Sequence, residues 1–124
     1  MLYHAVTDAA LGAAGLGDIG DYFSDRDPKN KGRDSLFFIK KTKTLLEKKG
    51  LAVVQMDTTL VLESPRLSGY KEKMRRNLAR HWGAALDRVN VKAKTNEGLN
   101  AIGRGQAIAC YAVVLVDRPG KGKK

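Results

Sequence analysis

The sequence predicts an α+β fold, a two-layer sandwich in which a mixed β-sheet carries its helices on one face. Two observations predict it. Helical and strand-like patterns follow one another in the order α-α-β-α-β-β. The strand, helix and strand within residues 53–95 should form a right-handed crossover, which makes those two strands parallel. A length of 124 residues leaves room for one domain with one core.

The first two helices are predicted from composition and from their end signals. Residues 2–14 are rich in Ala and Leu and are followed by glycines, which end a helix. Asp34 or Ser35 can cap a second helix, which closes at Gly50. Between these helices, residues 17–28 are dense in Asp and Gly and therefore predict a loop.

Three strands and a third helix complete the predicted domain. Residues 53–62 are rich in β-branched side chains, residues 89–95 alternate apolar with polar, and residues 107–116 are almost continuously apolar. Ser64-Pro65 marks the turn into the third helix. The side chains that helical spacing places on its buried side are Leu67, Tyr70, Met74, Leu78 and Trp82. Three strands under three helices make a thin domain, which suggests oligomerisation or a further segment over the open sheet face.

The charge of the chain favours an anionic partner without identifying it. A formal net charge of +10 attracts nucleic acid, anionic lipid or a polyphosphate substrate. Many of the lysines and arginines fall on predicted helices, where a solvated face explains them equally well. We assign residues 1–117 to the folded domain and residues 118–124 to a basic, disordered tail.

Several classes of protein are disfavoured by the composition. No apolar run reaches the length of a bilayer span, and the N-terminal residues lack the pattern of a signal peptide. We therefore expect a cytoplasmic protein. The single cysteine, Cys110, cannot form an intrachain disulfide, and its apolar neighbours predict a small buried core residue.

Two polar groups in the first part of the chain could carry chemistry. His4 and Asp8 lie one helical turn apart, which suits a fragment of a metal site but is also common in purely structural pairs. The other histidine, His81, is predicted to be a partly exposed residue of the third helix. The Asp- and Gly-rich loop could wrap a polyol such as ribose, or it could be an ordinary polar surface loop. Its carboxylates are Asp18, Asp21, Asp25 and Asp27.

A third polar group follows the second predicted strand, in a loop that spans residues 96–105. Thr95, Asn96 and Glu97 combine the hydroxyl, amide and carboxylate that suit a hard cation bridging phosphates. Arg104, between two glycines, can bind a phosphate through both arms of its guanidinium, although the same three residues could form a simple turn. None of these patterns is specific by itself.

Taken in order, the segments strongly resemble the 2-C-methyl-D-erythritol 2,4-cyclodiphosphate synthases. The resemblance extends from His4 to about Val116 without an obvious gap. The stretches that carry it are HAVTDAALGA (4–13), GDIG (17–20), FSDRDP (23–28), KGRDS (31–35), VNVKAKTNE (89–97) and GRGQAIAC (103–110).

This resemblance implies a specific enzyme of isoprenoid precursor synthesis. The family members are homotrimeric lyases whose active sites lie between subunits and use zinc together with magnesium or manganese. They cyclise 4-diphosphocytidyl-2-C-methyl-D-erythritol 2-phosphate and release CMP. The implied partner is therefore a cytidine diphosphate-linked small molecule, with no nucleic acid and no membrane.

The resemblance also implies roles for individual residues. His4 matches a zinc ligand, Glu97 the carboxylate that holds magnesium between two phosphates, and Thr95 the hydroxyl that stabilises the transferring phosphoryl group. Arg66 stands in the cytidine pocket where a lysine is usual and keeps its charge. The implied substrate-binding positions are Asp18, Gly20, Phe23, Ser24, Asp25, Arg26, Asp27, Ser64, Pro65, Arg66, Leu67, Ser68 and Arg104.

The sequence departs from the family pattern in two places. The Asp-x-His pair that supplies the other zinc ligands precedes the position of His4 in the family, so we expect a missing N-terminal segment. Ala101 and Tyr111 stand where an aromatic residue and a glutamate are frequent, close to the trimer axis. Two alternatives stay open: a truncated, non-catalytic relative, and a small basic RNA-binding α/β domain. The second lacks an aromatic pair on a predicted strand to stack bases.

Overall fold

The secondary structure follows the predicted order of elements, with two additional short helices. The computed structural model describes residues 1–23, 34–63, 69–95, 97, 99–105 and 107–118. A single 3₁₀ turn, Leu86–Arg88, precedes the second strand. The helices and strands are α1 (Leu2–Ala13), α2 (Ile19–Tyr22), α3 (Ser35–Lys48), β1 (Ala52–Val61), α4 (Lys71–Trp82), β2 (Val89–Lys94), α5 (Asn100–Gly103) and β3 (Ala109–Asp117).

The three strands form one mixed sheet in the order β2-β1-β3. β1 and β2 run parallel, with Thr58 opposite Val91, as the predicted crossover between them requires. β3 runs antiparallel to β1, with Ala112 opposite the same threonine. A register irregularity lies between Val53 and Gln55 near the start of β1. The predicted mixed sheet is therefore confirmed.

The helices cover one face of this sheet, and the core lies between the two layers. α1 packs against β3 and α4 against β2, while α3 packs beside both helices. Strand alternation sends every second side chain of each strand into this layer, together with one face of each helix. The fully buried side chains of the layer include Val6, Leu11, Ile39, Leu46, Met56, Thr58 and Leu78.

The helix ends follow the capping signals of the sequence. The Asp34 carboxylate accepts a hydrogen bond from the backbone N–H of Leu36 at 3.1 Å, which makes Asp34 the N-cap of α3. Gly50 follows α3 with φ +72°, and Gly83 ends α4 with φ +67°. A residue with a side chain is strained at such angles, so glycine is favoured at both positions.

Two predicted loops contain helical turns. α2 lies within predicted loop 17–28, because Asp18 and Asp21 cap each other's backbone N–H groups. α5 lies within predicted loop 96–105, where the Asn100 side chain accepts a hydrogen bond from the Ile102 N–H at 2.9 Å. Short polar side chains thus close single turns that apolar periodicity does not reveal.

Three further predictions need correction or lie outside the described residues. Tyr70 is 59% exposed because it is the N-cap of α4 and lies before the amphipathic part of the helix. Cys110 is half-buried, since it packs against the core from edge strand β3, and this burial raises the pKa of its thiol. Leu67, the Ser64-Pro65 turn and residues 119–124 of the predicted tail lie outside the described residues.

The second face of the sheet carries an apolar stripe beside a polar cluster. Tyr111, Val113 and Leu115 of β3 are 64%, 73% and 57% exposed, respectively. On the neighbouring strands, Lys92 Nζ lies 2.9 Å from the Asp57 carboxylate, which keeps the pKa of Asp57 below its usual value. The strand alternation that fills the core thus leaves these apolar side chains uncovered by the helices that the structure describes.

Within the residues that the structure describes, no helix is long and apolar enough to cross a bilayer.

Candidate functional site

His4 occupies the exposed face of α1 and contacts an aromatic side chain of α3. Its ring lies 5.4 Å from the Phe38 ring, centroid to centroid, at an angle of 73°. Asp8, one turn further along, accepts a hydrogen bond from the Ile19 backbone N–H at 2.9 Å. This bond gives Asp8 a structural role, because it ties the start of α2 to α1.

The segment that contains Asp18 and Gly20 is held by reciprocal capping. Asp18 Oδ1 accepts from the Asp21 N–H, and Asp21 Oδ2 accepts from the Asp18 N–H, each at 3.0 Å. Gly17 has φ +89°, and a Cβ at this position would overlap the Asp21 carboxylate. The backbone of the GDIG stretch therefore has a fixed shape in which glycine is required at its first position.

Phe23 joins this segment to α3 through ring contacts. Its ring centroid lies 4.9 Å from that of Phe38 and 6.1 Å from that of Phe37. Phe38 also contacts His4. Its ring therefore touches the rings of two predicted site residues, His4 and Phe23. Phe38 is buried, so it can position both neighbouring rings.

Thr95 and Glu97 lie directly after β2 and are both exposed. The Glu97 N–H points at Thr95 Oγ1 over a long distance of 3.5 Å. Glu97 has φ +54°, a left-handed conformation that is uncommon for a residue with a side chain. Such backbone geometry is frequent at functional positions, since only a local requirement offsets its cost.

Arg104 follows the last residue of α5 and is exposed, five residues before the start of β3. The segment that leads to it contains a second left-handed residue, Asn100, with φ +53°. The structure thus places an unburied guanidinium on the loop that connects the end of β2 to the start of β3. This exposure suits a residue that contacts a charged ligand.

The predicted site residues divide into two groups. His4, Asp18, Gly20 and Phe23 are brought together by Asp8 and Phe38 at the α1–α2 side of the molecule. Thr95, Glu97 and Arg104 lie on the segment after β2. Among the described residues, no hydrogen bond joins a member of one group to a member of the other. The remaining predicted positions lie outside the described residues: Ser24, Asp25, Arg26, Asp27, Ser64, Pro65, Arg66, Leu67 and Ser68.

The described residues do not by themselves form a zinc site. No group of three His, Cys, Asp or Glu side chains in this part of the chain could hold a metal ion. A catalytic zinc ion takes three protein ligands, so His4 can be one ligand at most. Magnesium makes a smaller demand, because one or two carboxylates and substrate phosphates are enough. The exposed Glu97 fits that requirement.

Two features of the site were not predicted from the sequence. One is the central position of Phe38 between His4 and Phe23, and the other is the hydrogen bond between Asp8 and Ile19. The paired aromatics Phe37 and Phe38 just inside a capped helix were a usable signal, since they follow closely after Phe23. The bond from Asp8 to Ile19 joins residues eleven positions apart across a turn. No periodic pattern encodes such a contact.

Comparison with known protein families and sequences gives a consistent result. A model of the YgbB family matches residues 1–117. The chain is 48% identical over 116 residues to the 2-C-methyl-D-erythritol 2,4-cyclodiphosphate synthase of Desulfosudis oleivorans, covering 94% of this chain and 69% of that protein. It is 46% identical over 118 residues to the synthase of the same name from Burkholderia thailandensis, covering 95% and 73%.

Solved structures share the fold. A 2C-methyl-D-erythritol-2,4-cyclodiphosphate synthase in a CDP-bound form aligns with a TM-score of 0.83 and 37% identity, covering 93% of this chain and 74% of that chain. A CDP complex from Plasmodium falciparum aligns with a TM-score of 0.78 and 31% identity, covering 92% and 67%. The bifunctional IspDF of Campylobacter jejuni aligns with a TM-score of 0.87 and 37% identity, covering 93% of this chain but 31% of that chain.

Proposed function

Because this chain belongs to the YgbB family, whose model spans residues 1–117, we propose that it cyclises 4-diphosphocytidyl-2-C-methyl-D-erythritol 2-phosphate and releases CMP. The product is 2-C-methyl-D-erythritol 2,4-cyclodiphosphate, a precursor in isoprenoid synthesis, and the enzyme class is phosphorus–oxygen lyase. The observation that carries this conclusion is 48% identity over 94% of the chain to a synthase of that name.

The reaction requires no nucleophile from the protein. An oxygen of the substrate's own 2-phosphate forms a bond to the β-phosphorus, and the bond from that phosphorus to the CMP oxygen breaks. The bonding electrons leave with CMP. The protein must fold the substrate into a ring and neutralise phosphate charge, which are tasks of positioning and electrostatics. Exposed polar side chains in both residue groups suit these tasks: His4, Asp18, Thr95, Glu97 and Arg104.

Glu97 and Thr95 are the proposed catalytic residues. Glu97 would hold magnesium (or manganese) together with the substrate phosphates, and that metal would supply charge neutralisation. Glu97 is exposed and has a left-handed backbone conformation shortly after the end of β2. Thr95 Oγ1 faces the Glu97 N–H as an acceptor, so its own O–H is available to donate to a phosphoryl oxygen.

His4 is proposed as one zinc ligand, and its fellow ligands are not among the described residues. The step described above depends only on substrate positioning and on charge neutralisation at the phosphates. The contribution of His4 that the structure supports is therefore its orientation by Phe38. That contact fixes the plane of the imidazole beside the substrate-binding segment.

Substrate binding is proposed for two stretches and one arginine. The capped segment with Asp18 and Gly20, continuing through Phe23 to Asp27, would contact ribose and methylerythritol. The stretch 64–68, with Arg66, would form the cytidine pocket, and Arg104 would contact phosphate. CDP in two related solved structures supports a cytidine-linked substrate for this family.

We further propose a homotrimer with active sites between subunits. Tyr111, Val113 and Leu115 form an exposed apolar stripe on the face of the sheet opposite the described helices. Exposed apolar patches of this kind mark association surfaces, and an uncovered sheet face is a liability in a monomer. The separation of the predicted site residues into two groups also agrees with a site completed by a neighbouring subunit.

A non-catalytic relative is the second candidate function. The observation that favours it is the lack of a three-ligand metal group among the described residues. Such a protein would assemble and bind cytidine nucleotides without turning over the substrate. It therefore differs from the first candidate in turnover and in zinc content, not in fold.

The deciding experiment measures CMP release from the diphosphocytidyl substrate with magnesium and zinc present. The assay compares two proteins: this chain, and the longer protein obtained when translation includes any codons upstream in the same reading frame. Glu97→Gln serves as the inactive reference. Release by either form, lost in Glu97→Gln, supports the synthase. CMP binding without release by either form would replace the first candidate with the second.

A further inference from the structure

A groove lies between α2 and the adjacent face of α3. Its volume is about 340 Å³, and three aromatic and two basic side chains give it its character: Tyr22, Phe23, Phe37, Lys41 and Lys48. Small-molecule sites start at about 300 Å³. We call this feature the α3 groove. Its lining includes Phe23 of the stretch proposed to contact ribose and methylerythritol, but no residue of the segments 64–68 and 95–104 that the proposed function uses for cytidine and phosphates.

The basic side of the α3 groove follows from helical spacing. Phe37, Lys41 and Lys48 occupy positions i, i+4 and i+11 of α3, which fall on one face of a helix. The two ammonium groups can converge, because each ends a flexible four-carbon stem. The Lys41 ammonium already lies over the Phe37 ring, 6.0 Å from its centre.

The two groove lysines differ from other lysines near α3 in their contacts. Lys43 donates to the His81 carbonyl at 3.2 Å, and Lys49 donates to the Ala14 carbonyl at 2.6 Å, so both stabilise the fold. Neither Lys41 nor Lys48 forms an ion pair within the described part of the chain. Asp21, the nearby acid of α2, accepts the Asp18 N–H and is not among the residues that line the groove. The described lining therefore carries two positive charges and no negative one.

The aromatic side of the α3 groove consists of three rings that are packed against one another at steep angles. Tyr22 is 40% exposed, and its ring centroid lies 6.4 Å from that of Phe23. Phe23 and Phe37 are themselves packed edge-to-face at 6.1 Å. Aromatic faces and edges of this kind bind another planar ring by offset stacking or edge contacts. A planar ring would thus fit beside the ammonium groups.

We propose that the α3 groove binds a planar heteroaromatic ring that carries a phosphate, the chemistry of a nucleoside monophosphate. The ring packs against Tyr22 and Phe37, and the phosphate pairs with Lys41 and Lys48. CMP belongs to this class and would be formed by the proposed reaction, but the inference concerns binding and does not depend on turnover. The two lysines supply the affinity for phosphate, and the aromatic wall supplies the preference for a ring.

The test titrates the full chain with CMP and follows the backbone amide signals of Thr44 and Leu45, which line the groove. The groove variant is Lys41→Glu/Lys48→Glu. The matched control, Lys40→Glu/Lys73→Glu, makes the same change of charge at exposed lysines outside the groove. Recording the two amide signals separates groove binding from CMP bound at the proposed cytidine pocket.

We expect the two amide signals to shift in the native protein and the control, and CMP affinity at these signals to fall at least about tenfold in the groove variant. Lys41→Gln/Lys48→Gln, which only removes charge, should show an intermediate loss. Ribose 5-phosphate and cytidine, each lacking one half of the ligand, should bind more weakly than CMP. Any of three results would overturn the proposal. The amide signals do not shift, the groove variant and the matched control bind CMP with equal affinity, or ribose 5-phosphate binds as tightly as CMP.

Discussion

Asp8 Oδ1 accepts a hydrogen bond from the backbone N–H of Ile19 at 2.9 Å, which joins the middle of α1 to the first turn of α2. Ile19 is the first helical residue after the N-cap Asp18, so its N–H has no partner within α2. The carboxylate therefore satisfies a helix-end donor and at the same time fixes the segment proposed to contact ribose. Asp8, which its spacing from His4 suggested as part of a metal site, thus connects α1 to α2.

Asp8→Ala is expected to lower the free energy of unfolding by about 1 kcal/mol, since it removes a carboxylate that caps a helical N–H. Asp8→Asn should cost less because its amide oxygen can still accept the bond. Urea denaturation of the three proteins measures the difference. Amide exchange at Ile19 should accelerate in Asp8→Ala, and unchanged stability together with unchanged exchange would show that the bond contributes nothing.

Glu97→Gln is expected to reduce turnover by on the order of 100-fold or more, because the variant loses the negative charge that would hold the metal at the phosphates. The exposed side chain makes no core contact, so folding and assembly should be unaffected. CMP release measures turnover, and circular dichroism checks the fold. Glu47→Gln, an exposed carboxylate of α3, is the control and should keep native activity. Native turnover in Glu97→Gln would remove this residue from the catalytic role.

The main elements could be predicted because their signals are local. The cap at Asp34 and the glycine at Gly50 mark α3, and β-branched residues mark β1 within one residue at each end. The parallel pairing of β1 and β2 follows from the helix between them. These features depend on short stretches of sequence, so a single chain is enough to infer them.

The arrangement of the site could be predicted only in part, because it depends on contacts between distant residues. Phe38 is simply an apolar helix residue in the sequence, yet its burial between His4 and Phe23 brings two predicted site positions to the same side chain. The burial of Tyr70 was predicted wrongly, since helical spacing was extended beyond the true start of α4. Tertiary packing decides both cases.

Arg66→Ala is expected to weaken CMP binding by roughly tenfold, through loss of a charge-assisted contact in the proposed cytidine pocket. Calorimetric titration with CMP measures the dissociation constant. Arg76→Ala removes the same charge from an exposed position of α4, where Arg76 pairs with Glu72 at 3.4 Å, and should bind CMP normally. Equal affinity in both variants would exclude Arg66 from the pocket.

Val113→Lys is expected to break the proposed trimer into smaller species. Val113 is 73% exposed within one chain, so the substitution leaves the core intact and acts only where another subunit would cover it. Ala13→Lys adds the same charge at an exposed position of α1 and should assemble like the native protein. Sedimentation equilibrium measures the mass of each. A native protein that sediments as a monomer, or a Val113→Lys trimer, would contradict assembly through this face.

Stability is expected to fall as the pH decreases below the usual pKa of histidine, because of His81. Burial holds the pKa of His81 below 6.5, so the folded state binds fewer protons than the unfolded chain just below that pH. The stabilisation is complete above 6.5 and is lost as the pH falls. Urea midpoints between about pH 7.5 and about pH 5.5 should therefore decline in the native protein and decline less in His81→Gln. Parallel curves for the native protein and His81→Gln would contradict the assignment. Besides burial, four charged groups influence the pKa of His81: Arg80, Asp34, Lys40 and Lys43.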